Sequence, residues 1–102
     1  MCGRYSLSKN KIELEERFQA EMLPDFNPRY NIAPTQLLPL ITSQSPRGFS
    51  FFYWVITPDF GQNRPVAQKI INARAETVSE KISFKSSFQK RRCLITADGF
   101  YE

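Results

Sequence analysis

The chain has 102 residues, with 14 Lys plus Arg against 10 Asp plus Glu, 2 Cys and no His. That length fits one domain with a small core, and a 41% apolar content with nine Phe is too high for a disordered chain. Without histidine the chain has no Ser-His-Asp triad, no Cys-His dyad and no His-bearing zinc site.

Cysteines at positions 2 and 93 make neither a CxxC motif nor a four-ligand metal site. No stretch approaches the about eighteen apolar residues of a transmembrane helix, and no signal-peptide h-region follows Met1. The expectation is a soluble, cytoplasmic protein in a reducing compartment, where a Cys2–Cys93 disulfide is disfavoured. The net charge of +4 is uneven. Residues 11–25 hold five of the acids and sum to −3, leaving +7 on the rest, and the tract 85–92 (KSSFQKRR) has four bases and no acid. A basic body suits a polyanion, nucleic acid first, although a solvated basic surface accounts for the same count.

In chain order, residues 4–7 read as a short strand. Asn10 with Glu13 forms a capping-box pattern, and Leu14, Phe18 and Met22 recur every four residues, predicting a helix over 11–22 that Pro24 and Pro28 end. Residues 37–42 (LLPLIT) and 49–56 (FSFFYWVI) read as strands joined by the turn residues SQSPRG. Their apolar side chains fall on both faces, predicting cover on both sides, and Pro39 marks the first as an edge strand. Residues 67–73 and 93–97 are further strands, and Thr77 with Glu80 caps a short helix toward 84. The fold class is α+β, with a mixed or antiparallel sheet and a few short helices.

Cys2 follows the initiator Met. Once Met1 is removed, cysteine becomes the first residue, a 1,2-aminothiol whose amine titrates near 7.7–8 and whose thiol near 8.5. The amine condenses with an aldehyde and the thiolate closes a five-membered thiazolidine, with no need of histidine. A cysteine beside an initiator Met is ordinarily incidental, so this chemistry needs support from other residues.

That support is a set of four motifs in order: MCGRY at the start, RYNIAPTQ at 29–36, IINARAET at 70–77 and RCLITADGFYE at 92–102. Together they resemble the SOS response-associated peptidase (SRAP) family, which crosslinks covalently to abasic sites in single-stranded DNA. The resemblance runs the length of the chain and implies that residues 1–102 are the N-terminal half of a single SRAP domain with a barrel-like sheet. It implies that Cys2 is the nucleophile, that Asn72 senses the abasic sugar and that Glu102 helps open the sugar and move protons. It further implies that Arg4 and Arg74 hold phosphates, that Pro34 lies where the strand kinks, and that no metal or organic cofactor takes part. Phe60 is a candidate base-stacking residue.

The departures are a family histidine that has no counterpart here, Glu102 without a following tryptophan, Val55 in place of a glycine after Trp54, and Thr96 where proline is common. A half-length chain is expected to leave sheet edges open.

Each residue also has a plainer reading. Arg74 and Glu76 share a face if strand-borne and would form a surface ion pair. Asn72 would satisfy buried backbone groups, Cys93 would be a core thiol, Trp54 and Phe60 would be core aromatics, and the 85–92 tract a solvated helix end. Two rival functions stand beside the crosslinker. One is a non-catalytic single-stranded DNA-binding module. The other is a thiol peptidase acting on proteins or on its own Met1, against which the absent histidine counts.

Overall fold

Inward Tyr5 and Leu7 alternate with outward Arg4 and Ser6 over Arg4–Leu7, which forms the first strand, β1. The computed structural model describes residues 2–55 and 70–102. The expected capping box is present ahead of helix α1 (Lys11–Phe18): the Glu13 N–H donates to Asn10 Oδ1 at 2.9 Å and the Asn10 N–H to Glu13 Oε2 at 2.8 Å. Caps of this kind contribute about 1 kcal/mol.

The helix is shorter than the predicted 11–22. Gln19 takes a left-handed cap (φ 51°) and the Ala20 N–H reaches back to the Glu15 carbonyl at 3.2 Å, which closes the last turn. Met22 is buried, as its spacing suggested, but from an extended segment. The Glu21 N–H donates to Arg47 O and the Phe49 N–H to Glu21 O, both at 2.8 Å, as a parallel bridge between Glu21 and Gly48. Two acids of the 11–25 segment serve local structure here: besides Glu13, Glu15 Oε2 accepts the Met22 N–H at 3.1 Å.

Strand β2 (Arg29–Ile32) lies beyond the prolines and was not anticipated. It pairs antiparallel with β1, Tyr5 opposite Ile32 and Leu7 opposite Arg29, so a bulge places one extra residue in β2. Strand β3 (Leu37–Thr42) has the predicted bounds, and the Ser45 N–H to Thr42 O bond (3.2 Å) starts the turn into β4 (Ser50–Tyr53). Leu38 through Ile41 are buried, as a doubly covered strand requires, but Phe52 and Tyr53 of β4 are exposed.

Of the strand expected at 67–73, residues 67–69 lie outside the described residues, as does residue 56 of the one expected at 49–56, and residues 71–73 form no strand. The helix expected from Thr77 is instead a run of turns over 75–80, in which the Thr77 and Val78 N–H groups both close on the Arg74 carbonyl. Regular helix follows at α2 (Lys85–Lys90), inside the basic tract. Strands β5 (Cys93–Ile95) and β6 (Gly99–Tyr101) end the described chain; β5 is shorter than 93–97 and β6 was not foreseen.

The architecture is α+β. Two three-stranded sheets, ordered β2-β1-β6 and β4-β3-β5, have antiparallel ladders throughout. The expectation for Pro39 is corrected, because β3 is the central strand of its sheet. The β5 ladder begins only at Leu40 opposite Ile95, and the Pro39 carbonyl is taken by the Thr96 hydroxyl at 3.3 Å, just past β5. A residue in an antiparallel ladder turns its N–H and C=O to the same neighbour. The donor that proline lacks therefore falls where no ladder bond is due.

The core gathers Leu7, Leu14, Met22, Ile32, Leu38 and Ile41 with Tyr5 and Phe49, from both sheets, α1 and the segments bridged at Glu21 and Gly48, each worth about 1.5–3 kcal/mol of burial. Among the described residues no helix is long and apolar enough to cross a membrane.

Candidate functional site

The β1–β6 ladder positions the two ends of the chain. Arg4 lies opposite Tyr101, Tyr5 opposite Phe100 and Ser6 opposite Gly99. Continued by one residue, that register sets Gly3 against Glu102, so Cys2 and Glu102 reach the same end of the sheet.

An Asp98 clasp holds the register. Its carboxylate accepts from the Ser6 hydroxyl (2.7 Å), the Ser8 hydroxyl (2.8 Å) and the Ser8 backbone N–H, while the Asp98 N–H donates to Ser6 O at 3.0 Å. Gly99 permits this approach, since a Cβ there would stand 3.0 Å from Ser6 Oγ. Desolvation alone would raise the carboxyl of exposed Asp98, but hydrogen bonds from Ser6, Ser8 and the backbone of Ser8 and Lys9 outweigh it and hold the carboxyl below its ordinary value.

A depressed carboxyl stabilises the fold above its unfolded value near 3.9, and the contribution is lost as pH falls through the lower folded value. Asp98→Asn is therefore expected to lower the melting temperature at pH 6 and to converge on the parent only in acid below the carboxyl's lowered folded value. Melting curves across that range test it; a deficit of the same size in acid would remove the charge from the account.

Cys2 is half-buried just ahead of β1, and its thiol donates to the Arg4 carbonyl at 3.3 Å. Arg4 is exposed, with Nη1 donating to Asn31 Oδ1 at 3.0 Å. Next to Glu102, which is exposed, the Tyr101 hydroxyl donates at 2.7 Å to the Tyr30 carbonyl in bulged β2 and ties β6 to the far strand of the sheet.

Trp54 organises the other half of the candidate set. Its carbonyl accepts the Thr35 N–H (3.0 Å) and its N–H donates to Gln36 O (3.1 Å). This holds the turn in which half-buried Pro34 is followed by Thr35 at a φ of 73°, a backbone angle that costs a β-branched residue about 1–3 kcal/mol. The indole ring lies 5.6 Å from the Tyr5 ring, and its Nε1–H donates to the Ile71 carbonyl at 3.1 Å. Asn72, half-buried, follows directly, and exposed Arg74 opens the turns beyond it.

One tryptophan thus joins the Pro34 turn, the Cys2-bearing strand and the Asn72 segment. The sequence marked Trp54 only as a core aromatic, and its short-range signal holds nothing of this role. Arg74 and Glu76 are not on a strand, so the shared-face ion pair loses its geometric basis.

Tyr5 is 6% exposed, and its hydroxyl has no hydrogen-bond partner among the described residues. Burial pushes its phenol up to about 12, Arg29 on β2 opposes the rise, and the nearby Cys2 sulfur adds to it. Spacing in the sequence did not single out this residue.

Three candidates lie elsewhere. Phe60 is outside the described residues. Cys93 is on β5 of the other sheet, exposed and unbridged, with partial burial pushing its thiol up, so the core-thiol reading is corrected and both cysteines are free. In the basic tract, Arg91 donates to Ser87 Oγ at 3.1 Å and the Arg92 guanidinium stands 4.4 Å over the Phe88 ring. Both cations turn back on the C-terminal end of α2, where the helix dipole favours them.

Residues 1–102 match the sequence profile described as SOS response associated peptidase (SRAP). The chain is 39% identical to the abasic site processing protein YoqW of Bacillus subtilis and 31% identical to YedK of Escherichia coli, in each case over all of this chain and 47% of the relative. It is 31% identical to HMCES of Pongo abelii over all of this chain and 36% of that protein. The chain thus spans about half the length of its bacterial relatives. A crystal structure of a Bordetella bronchiseptica protein superposes with a TM-score of 0.76 at 24% identity, covering 99% of this chain and 50% of that one, which matches the fold. The profile over its whole length and the relatives above 30% identity give one conclusion: the chain belongs to the SRAP family.

Proposed function

We propose that this chain is the N-terminal half of an SRAP domain that captures abasic sites in single-stranded DNA through Cys2. The observation that carries the reading is the β1–β6 ladder, which sets Tyr101 opposite Arg4 and so brings the residues flanking them, Cys2 and Glu102, to one end of the sheet beside exposed Arg4. The names of the relatives, abasic site processing proteins, supply the substrate class.

The sequence of events is as follows. Cleavage of the Met1–Cys2 bond frees the amine. Arg4 and Arg74 hold phosphates near the lesion, the Pro34 turn meets the kinked strand, and the Asn72 amide offers a donor and an acceptor to the sugar. Phe60 remains a proposed stacking residue. Glu102 protonates the ring oxygen as the hemiacetal opens to an aldehyde, and the proton of the anomeric hydroxyl returns to its carboxylate. The Cys2 amine adds to the aldehyde carbon, and water leaves as the imine forms. The thiolate then adds to the imine carbon, and a proton returns to nitrogen. The ring closes with one water released overall, and nothing is oxidised or reduced.

Denaturing electrophoresis with matched abasic and intact oligonucleotides tests the proposal on chain whose mass shows loss of Met1. A slow band is expected with the abasic strand only. Binding to both strands without any band stable to denaturant would favour the non-catalytic binder instead.

A further inference from the structure

The Cys2 thiol spends its proton on the Arg4 carbonyl at 3.3 Å. On ionisation that bond is lost, because a thiolate has no proton to give and a carbonyl oxygen repels its charge. The sulfur then needs a donor. Tyr5, three residues on and within β1, is more than nine-tenths buried, with a hydroxyl that has no partner among the described residues.

Its ring is fixed against Trp54 at 5.6 Å, and Cys2 and Arg29 are the charged groups whose fields reach it. An orphaned buried hydroxyl costs stability and is ordinarily avoided, so its retention calls for a partner that arrives in another state. We propose that Tyr5 is a positioning residue for Cys2: its hydroxyl receives the sulfur when the thiol ionises and releases the Arg4 carbonyl, and so holds the thiolate in place to close the ring. The proposal deepens the crosslinking reading and rests on Cys2 as its nucleophile. Because the phenol is held well above neutrality, it stays a donor throughout the range in which a thiol titrates.

The test is Tyr5→Phe, which keeps the ring on Trp54 and removes one oxygen, in a Cys93→Ser background so that Cys2 is the sole thiol. Alkylation of Cys2 by iodoacetamide is followed by mass spectrometry from pH 6 to 10. Loss of the donor is expected to move the midpoint up by about one unit, so that alkylation near neutrality slows about tenfold. The melting temperature is expected to hold or rise, since an unsatisfied buried group is gone. The crosslinking rate on abasic DNA should fall in step.

A Tyr5→Phe profile that overlays the parent overturns the proposal, whatever crosslinking does. A shifted profile in a chain that forms no crosslink with abasic DNA upholds the Tyr5 role and rejects the functional reading. The two failures are therefore told apart.

Discussion

Cys2→Ala is expected to abolish the denaturant-stable band with abasic DNA while leaving the fold intact. The side chain is half-buried and its one hydrogen bond is to a neighbouring carbonyl, so the stability change should stay within about 0.5 kcal/mol. Loss of the band is then a chemical effect. Cys2→Ser separates the two nucleophiles of the aminothiol. Its amine still condenses with the aldehyde, but a hydroxyl closes the ring far less readily, so a band should appear only after reduction of the imine. A chain that keeps Met1 presents an amide nitrogen in place of an amine and should match Cys2→Ala. Time courses with and without borohydride measure all three. A stable, unreduced band from the serine variant would reject the thiazolidine mechanism.

Trp54→Phe carries the second large effect, and it acts at a distance from the sulfur. The phenyl ring preserves contact with Tyr5, but the indole N–H that holds the Ile71 carbonyl is lost. The direct cost is one hydrogen bond, about 1 kcal/mol. Truncation to alanine also removes the ring and should cost about 3 kcal/mol. The functional cost is larger because Asn72 adjoins the released carbonyl, and a displacement near 1 Å in a positioning group lowers rates by up to about a hundredfold. Trp54→Phe is therefore expected to slow crosslinking about tenfold or more, with Cys2 alkylation unchanged. Crosslinking time courses beside urea melts measure both effects. A variant with the parental rate would show that other contacts hold the Asn72 segment.

The readings that the structure upheld rest on short windows of chain. Asn10 and Glu13 are three residues apart and cap α1 through their own two hydrogen bonds. The bounds of β3 and the turn before β4 follow from a run of apolar residues and the SQSPRG punctuation. The four motifs identify the family without reference to any contact.

Tertiary structure decided what depends on partners remote in sequence. α1 stops at Phe18, where Gln19 turns left-handed, and Met22 is buried by pairing with residues 47–49 instead of by a fourth helical turn. Pro39 occupies a central strand because its neighbour ends one residue short of it. β6 exists because Asp98 reaches Ser6 across 92 residues, and that pairing sets Tyr101 opposite Arg4. Trp54 and Tyr5 show no pattern along the chain that foretells their place. A hydrogen bond to Ile71 and an unpartnered hydroxyl are set by which strands pair, in what register, and what is left over once they have.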